Sequence, residues 1–360
     1  MLREGLPPEE RYYYRHLGDV AKRLYLEMLE RFFRLDLSYS YRATVELMDS
    51  GDAFEAIRWD YPELFFIQRS IGVGQTDENF DEYYKVDEDG TVTATLGIYY
   101  TKEEILEILE GLDAVYHEFD GITDPFELEL AAYRYAIEHF EYAHEYRELA
   151  GRELDEVYTL AGLIRNRRGV CAAYTRFIQY ILGRRGIPAV PILQALERGN
   201  GESGHAWLAV MIDGEYYHLD ATFDDGDEEN PRRFPYRHFN ITDEEIAADR
   251  DLDRALYPDI VCRATAANYY RRRGLFFETD DEALRGARRF LRESEPTEKE
   301  ALYFFFRMPP GYGSDALLAR IPTELAGDTA AGRITPARNG RLGRYVIEFD
   351  YTVPKDGAAE

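Results

Sequence analysis

A turn signal near the middle of the chain constrains the fold more than any other feature of the sequence. Asp213 and Gly214 separate two runs rich in apolar residues, 204–212 and 215–222. Asp-Gly favours a two-residue hairpin turn, because both positions of that turn need positive φ angles. The sequence therefore predicts an antiparallel β-hairpin whose register is set by this turn.

The register of the predicted hairpin brings a histidine and an aspartate together. Counting outward from the turn, Trp207 faces Asp220 and His205 faces Thr222. Side chains alternate along a strand, so one face carries His205, Trp207, His218, Asp220 and Thr222. The other face, predicted to be the buried one, carries Ala206, Leu208, Val210, Ile212, Tyr217, Leu219 and Ala221. His205 and Asp220 become diagonal neighbours with Cα atoms roughly 7–8 Å apart, and a carboxylate so placed can orient an imidazole and stabilise its protonated form.

A cysteine upstream of the hairpin lies where a helix is predicted to begin. Gly169 permits a tight turn, and apolar residues then recur at helical spacing, at Ala173, Phe177, Ile178, Ile181 and Leu182. Cys171 is therefore expected at a helix N-terminus, where unpaired amides and the helix dipole favour an anion. Two interpretations stay open for this residue alone: a reactive thiolate or a small buried hydrophobic side chain. The spacing itself does not bring Cys171 to the His–Asp pair.

Other cysteine and histidine residues offer weaker alternatives. His218 shares the face of His205 but lies opposite Ala209, nearer the turn, and is the competing base. Cys262 has no helix start beside it and is predicted to be structural, as are His16, His117, His139, His144 and His238. A zinc ion could use Cys171, His205, His218 and Asp220, but no close pair of the CxxC or HExxH kind is present. No metal is therefore expected.

The balance of charge excludes some classes of partner. The 360 residues include 43 basic and 69 acidic side chains, a net charge of −26, which argues against nucleic acids and anionic membranes as partners. No apolar run approaches the ~18 residues of a membrane span, and the N-terminus lacks the apolar core of a signal peptide. The chain as given is thus expected in the cytoplasm, or secreted or at the cell surface if a leader has been removed. Its oligomeric state is not predicted.

Periodicity divides the chain into three predicted regions. Residues 1–120 are expected to be mostly helical, 121–250 to hold the catalytic core, and 251–360 to be mixed α/β. The local signals are a helical stripe over 18–35, a strand over 91–100, a capping box at Thr101 and Glu104, a helix start at Asp124-Pro125, strands over 302–306 and 345–351, and a turn at Asn339-Gly340.

Three motifs of the central region resemble the transglutaminase-like superfamily. They are Gly169-Val170-Cys171, Gly204-His205-Ala206-Trp207 and Asp220-Ala221-Thr222-Phe223-Asp224-Asp225, and they follow one another in the family order. The core of that superfamily is a circularly rearranged relative of the papain-type cysteine proteases. The resemblance implies an α+β fold with a papain-like core, in which the cysteine-bearing helix packs on an antiparallel sheet. The stretches 59–65 and 267–270 are similar to elements of a bacterial subgroup with N- and C-terminal extensions.

The resemblance also implies roles for individual residues. Cys171 would be the nucleophile, His205 the general base and then acid, and Asp220 the residue that orients His205. The backbone amide of Cys171 would donate to the oxyanion. Candidates for a second oxyanion or substrate-binding group are Asn166, Tyr158 and Trp207.

The implied chemistry is thiol-dependent cleavage of an amide bond through a thioester, with a peptide or protein substrate and no cofactor. Hydrolysis by a protease or amidase is the expected outcome. Two alternatives remain: transamidation that cross-links protein glutamines through the same triad, and a non-catalytic protein-interaction module on the same scaffold.

Overall fold

Internal contacts group the chain into two units. Unit 1 contains Met1–Asp225 and Asp251–Cys262, and unit 2 contains Gly226–Arg250 and Arg263–Glu360. The computed structural model describes residues 5–36, 40–43, 47–67, 84–86, 92–95, 99–194, 204–225, 234–248, 250, 252–294, 301–309, 315–339 and 343–351. The division of the sequence into regions 1–120, 121–250 and 251–360 stays a prediction.

Helices precede and surround the predicted hairpin in unit 1. Its elements are α1 (Tyr12–Arg15), α2 (Asp19–Phe33), β1 (Ser40–Ala43), α3 (Leu47–Asp60), β2 (Tyr84–Val86), β3 (Val92–Thr95), α4 (Lys102–His117), α5 (Pro125–His139), β4 (Glu141–Tyr142), α6 (Gly151–Val157), α7 (Leu160–Asn166), β5 (Arg168–Gly169), α8 (Cys171–Gly183), β6 (Ala189–Gln194), β7 (His205–Ile212), β8 (Glu215–Leu219) and α9 (Ala221–Asp224). Short 3₁₀ turns lie at Pro8–Glu10, Phe65–Ile67 and Tyr146–Glu148.

The cysteine-bearing helix α8 packs on an antiparallel sheet of strand order β6-β7-β8. Asp213 and Gly214 have φ angles of 52° and 85°, as the predicted turn requires. Ile212 pairs with Glu215, which confirms the predicted register. Helix α8 is buried along almost its whole length because it contacts both this sheet and α5. The fold is α+β, as predicted.

Two details of the predicted hairpin are wrong. Strand β8 ends at Leu219, so His205 does not pair with Thr222. Asp220 instead caps the short helix α9, and its side chain accepts a hydrogen bond from the Phe223 amide at 3.2 Å. Aspartate is a preferred helix cap, and this alternative ends the strand. The hairpin is also buried on both faces rather than one, since Trp207 and His218 are as inaccessible to solvent as the opposite face.

The helix signals before the hairpin are confirmed. The side chains of Thr101 and Glu104 form the predicted capping box at the start of α4, and Asp124 caps α5 through the Glu127 amide at 3.0 Å. The predicted helical stripe over 18–35 corresponds to α2. Of the predicted strand over 91–100, residues 92–95 form β3 in the sheet β1-β3-β2, whereas Tyr99 and Tyr100 are not in a strand. Among the described residues, no helix combines the length and apolarity that a membrane span requires.

Unit 2 is built around a second antiparallel sheet. Its elements are α10 (Asp243–Ile246), α11 (Tyr269–Arg272), α12 (Asp280–Glu293), β9 (Ala301–Arg307), α13 (Asp315–Leu325), β10 (Arg333–Asn339) and β11 (Arg344–Asp350). The strand order is β10-β11-β9, which confirms the two strands predicted in this region. Strands β10 and β11 pair from Asn339 and Arg344 onward, as expected for a hairpin, although Gly340 lies outside the described residues. Phenylalanine side chains of β9 and apolar residues of α12 and α13 form its core.

Candidate active site

Cys171 is the first residue of α8 and is almost completely buried, with 7% of its surface exposed. The preceding residue Val170 is extended, and its amide donates to the Val157 carbonyl at 2.8 Å, which ties the entry of the helix to the end of α6. The first amides of a helix have no acceptor within it. The N–H of Cys171 therefore has no acceptor within the helix and can donate to a group bound next to the thiol. The helix dipole also favours negative charge at this position.

Gly169 is required for a reason other than the predicted tight turn. Its φ angle is not positive, so the turn argument was wrong. A Cβ atom at this position would lie 2.7 Å from the Ala173 Cβ and 2.8 Å from the Leu163 Cδ2. Glycine is needed because α7 and α8 pack closely against the backbone just before the cysteine.

His205 and Asp220 form the predicted pair. His205 Nε2 donates to Asp220 Oδ2 at 2.7 Å, and the carboxylate side chain is only 1% exposed. The second carboxylate oxygen of Asp220 accepts the Phe223 amide. Both oxygens are thus occupied, and the cap on α9 holds the carboxylate in place against the imidazole.

The Cys171 side chain also acts on the His205 imidazole and raises its pKa. Because Nε2 is bonded to Asp220, Nδ1 is the ring nitrogen left for the thiol. Burial alone lowers the pKa of His205, but the Asp220 carboxylate and the Cys171 sulfur together raise it to about 9. The structure therefore brings together the three residues of the predicted triad, in the order thiol, imidazole and carboxylate, with the imidazolium form favoured.

Two aromatic rings enclose the His205 imidazole. The ring of Trp207 lies nearly parallel to it, with centroids 6.0 Å apart and an interplanar angle of 20°. The ring of Phe223 meets it edge-on at 4.9 Å. These contacts restrict rotation of the imidazole and limit water access, which preserves its hydrogen bond to Asp220.

The polar atoms of Trp207 and His218 are directed at each other rather than at the triad. The Trp207 indole donates to His218 Nδ1 at 3.1 Å, and both side chains are buried. An indole has one N–H donor, and that of Trp207 is directed at His218; a role for Trp207 in substrate binding stays a prediction. The four side chains considered as zinc ligands do not converge either, because His218 is turned to Trp207 while His205 is turned to Asp220.

The two other candidate donors occupy different places. The Asn166 side-chain amide donates to Glu156 Oε2 at 3.2 Å, within an ion-pair network that also includes Arg152 and Arg165. No described contact joins Asn166 to the thiol. Tyr158 lies nearer: burial raises the pKa of its phenol, and the charges of Tyr146 and Cys171 raise it further. Of the two, only Tyr158 interacts with Cys171.

Tyr142 is a neighbour of the thiol that the sequence did not reveal. Strand β4 pairs in parallel with β5, so Tyr142 lies opposite Gly169, two residues before Cys171. Its half-buried side chain packs against the apolar cluster that contains Cys171. Together with Tyr146 and Tyr158 it forms a group of three phenols beside the thiol, which we call the tyrosine cluster. A two-residue bridge between distant segments leaves no periodic signal in the sequence.

Trp59 is a second neighbour from an unexpected part of the chain. It packs against the same cluster, and the buried Arg176 guanidinium lies over its ring at 4.0 Å. Arg176 also donates to the Tyr158 carbonyl at 2.6 Å. Trp59 of α3 and Arg176 of α8 therefore help to hold Tyr158, one member of the tyrosine cluster, in place. In the sequence, Trp59 was only part of a stretch similar to a bacterial subgroup.

Comparison with known proteins bears on this region. Residues 110–224 match a family model described as a transglutaminase-like domain. Among solved structures, a TGase is similar over 41% of this chain and 46% of its own, with 14% identity and a TM-score of 0.30. A candidate cysteine protease from Cytophaga hutchinsonii is similar over 37% of this chain and 52% of its own, with 18% identity and a TM-score of 0.25.

The chain thus spans about half the length of these two solved structures. With TM-scores below 0.5, neither likeness adds to the family match. A search of curated proteins gave no match. The family match runs from within α4 to the end of α9 and includes Cys171, His205 and Asp220. Residues 110–224 of this chain therefore match a transglutaminase-like domain.

Proposed function

We propose that this chain is a cysteine hydrolase that cleaves an amide bond of a peptide or protein through an acyl-thioester on Cys171. One observation carries the proposal: the His205 imidazole is hydrogen-bonded to the buried carboxylate of Asp220, and the Cys171 side chain also acts on this imidazole. A nucleophile, a base and a group that orients the base are the components of covalent acyl transfer. The match to a transglutaminase-like domain supports a thiol-dependent enzyme.

Because the imidazolium form of His205 is favoured, the thiol proton is on His205 Nδ1 before the acylation step, and the Cys171 thiolate attacks the substrate carbonyl carbon. The carbonyl π electrons move to oxygen, where the Cys171 N–H stabilises the negative charge. When this tetrahedral intermediate collapses, the C–N bond breaks and the leaving amine takes the proton from His205. The product is a thioester on Cys171 and a free amine.

In the deacylation step, His205 takes a proton from water as the water attacks the thioester. Collapse breaks the C–S bond, releases a carboxylic acid and restores the thiol. Asp220 keeps the same contact with Nε2 throughout, which stabilises the imidazolium that forms in each step. A primary amine in place of water would complete transamidation with the same residues.

The test is a fluorogenic peptide-library screen with wild type, Cys171→Ala and Cys262→Ala proteins. Cys262 is the other buried free cysteine, so its variant is the matched control. We expect cleavage by wild type and Cys262→Ala, and none by Cys171→Ala. Cleavage that survives in Cys171→Ala would refute the proposal.

Two further measurements separate the alternatives. In the first, a primary amine is added to the assay. If the acyl group is transferred to this amine in preference to water, the enzyme is a transamidase. Iodoacetamide labelling below neutral pH tests the non-catalytic module: an activated Cys171 should react where free cysteine is nearly inert. Reaction of Cys171 no faster than that of free cysteine at every pH would favour the module.

A further inference from the structure

The amide of Cys171 is one hydrogen-bond donor to the oxyanion of the proposed acylation step. Acyl-transfer enzymes stabilise this charge with preorganised donors, commonly more than one. Asn166 donates to Glu156 and Trp207 donates to His218. The tyrosine cluster, in contrast, presents hydroxyl groups beside the thiol.

The local backbone fixes the position of Tyr142 relative to the cysteine. Two hydrogen bonds bracket it: the Glu141 amide donates to the Arg167 carbonyl at 2.8 Å, and the Ala143 amide donates to the Gly169 carbonyl at 3.0 Å. The same bridge leads directly into Val170 and the first turn of α8. Tyr142 and the Cys171 amide are thus carried by one short, hydrogen-bonded unit.

The side chain of Tyr142 packs beside the nucleophile of the triad. It packs against the cluster that includes Cys171, and its phenol interacts electrostatically with both Cys171 and Asp220. Tyr158 interacts with Cys171, and Asp220 is not among the charges that act on its phenol. The Tyr146 hydroxyl is engaged by Arg147, whose Nε donates to it at 3.1 Å. Tyr142 is the member of the cluster that both lies opposite Gly169, two residues before Cys171, and packs against the cluster that contains Cys171.

We propose that the Tyr142 hydroxyl is the second donor of the oxyanion hole, acting with the Cys171 amide. The inference rests on the proposed function, because only acyl transfer develops an oxyanion at this place. As the C–S bond forms and the carbonyl π electrons move to oxygen, the Tyr142 O–H and the Cys171 N–H both donate to that oxygen. When the intermediate collapses and the leaving group departs, both donors are released unchanged.

The electrostatic environment keeps this phenol in its donating form. Burial raises the pKa of Tyr142, and the negative charges of Cys171 and of other nearby groups raise it further. The hydroxyl is therefore protonated throughout the working pH range. It can donate a hydrogen bond but cannot serve as the base.

Two reactions of the same thiol test the inference with the intact chain. Acetylation by p-nitrophenyl acetate passes through a tetrahedral oxyanion, whereas alkylation by iodoacetamide is a direct displacement that forms none. We expect Tyr142→Phe to slow acetylation by a factor of about 10²–10³ and to change alkylation by less than about threefold. Tyr146→Phe removes the same hydroxyl group from a neighbouring ring and should leave both rates near those of wild type, and Tyr158→Phe tests the other candidate donor.

Each remaining outcome has a definite meaning. Unchanged acetylation in Tyr142→Phe, with normal acetylation in wild type, overturns the inference and leaves the proposed function standing. So does a loss confined to Tyr158→Phe, which would assign the donor to Tyr158. Equal losses of acetylation and alkylation in Tyr142→Phe would show that Tyr142 supports the thiol itself, which also overturns the inference. If wild type is not acetylated, the proposed function fails and the inference fails with it.

Discussion

Replacing Asp220 with asparagine removes one charge from the candidate site while changing its shape very little. Asparagine is isosteric with aspartate and caps helices about equally well, so α9 should keep the cap that now joins Asp220 to the Phe223 amide. The imidazole of His205 keeps a polar neighbour but loses its anion. The substitution therefore separates the electrostatic contribution of Asp220 from its structural one.

The size of the effect follows from the pKa of His205. Its rise from 6.5 to about 9 corresponds to about 3 kcal/mol in favour of the imidazolium. Burial is the largest single cause and lowers the pKa, and the Asp220 charge is the largest cause that raises it. Without that charge, the pKa of His205 should fall below 6.5. The loss of about 3 kcal/mol corresponds to acetylation of Cys171 at least about 10²-fold slower at neutral pH.

The raised pKa of His205 also predicts how the stability of the protein changes with pH. The folded-state pKa of His205 is raised, so the stabilisation by its protonated form is complete below pH 6.5 and is lost as the pH rises through about 9. In urea unfolding, the advantage of wild type over Asp220→Asn should therefore be larger at pH 6.5 than at pH 9.5. An advantage that grows with pH over this range would contradict the assignment.

The direct assay is an NMR titration of the His205 imidazole in wild type, Asp220→Asn and Asp225→Asn. Asp225 accepts the Tyr174 hydroxyl at 2.5 Å and is not among the groups that shift the pKa of His205, so its variant controls for the loss of one charge nearby. We expect titration near pH 9 in wild type and Asp225→Asn, and below 6.5 in Asp220→Asn. Equal titration in all three proteins would refute the electrostatic account of the triad.

Three further substitutions separate stability from chemistry. Gly169→Ala forces a Cβ against Ala173, so we expect the free energy of unfolding to fall by about 1–3 kcal/mol. Acetylation should also slow because Cys171 is displaced, and an unchanged stability and rate would refute the packing argument. His218→Phe removes the acceptor of the Trp207 indole N–H and should lower the free energy of unfolding by about 1–3 kcal/mol, while the folded protein keeps its acetylation rate. Loss of acetylation in the folded variant would make His218 a candidate base again. Thr101→Ala removes the side-chain cap of α4 and should cost about 1 kcal/mol in urea unfolding with no change in acetylation.

The hairpin and its His–Asp pair could be predicted because one local signal determines them. The Asp213-Gly214 turn sets the register, and the alternation of strand side chains then brings His205 near Asp220. The same method erred at Thr222, where the tendency of Asp220 to cap a helix ended the strand first. At this boundary the strand pattern competes with the preference of aspartate for the helix cap. The carboxylate that orients His205 therefore also caps a helix.

The contact between Cys171 and His205 could not be predicted from local patterns. It depends on how α8 packs against β7, and only the family resemblance suggested it. Tyr142 was missed for a related reason, since a parallel bridge of two residues joins segments that are 27 positions apart in the sequence. Gly169 was noticed for the wrong reason, because close packing and a positive φ both select glycine and the sequence does not distinguish them.

The most direct test of the central claim is the intact mass of the protein after a brief reaction with p-nitrophenyl acetate and an acid quench. The account predicts one acetyl group per chain in wild type, located on Cys171 by peptide mapping, and none on Cys262. The acetyl group should be absent in Cys171→Ala and scarcely formed in His205→Ala at the same reaction time. An acetyl group that persists in Cys171→Ala, or that forms equally fast without His205, would contradict the claim that a thiol activated by this histidine carries the chemistry.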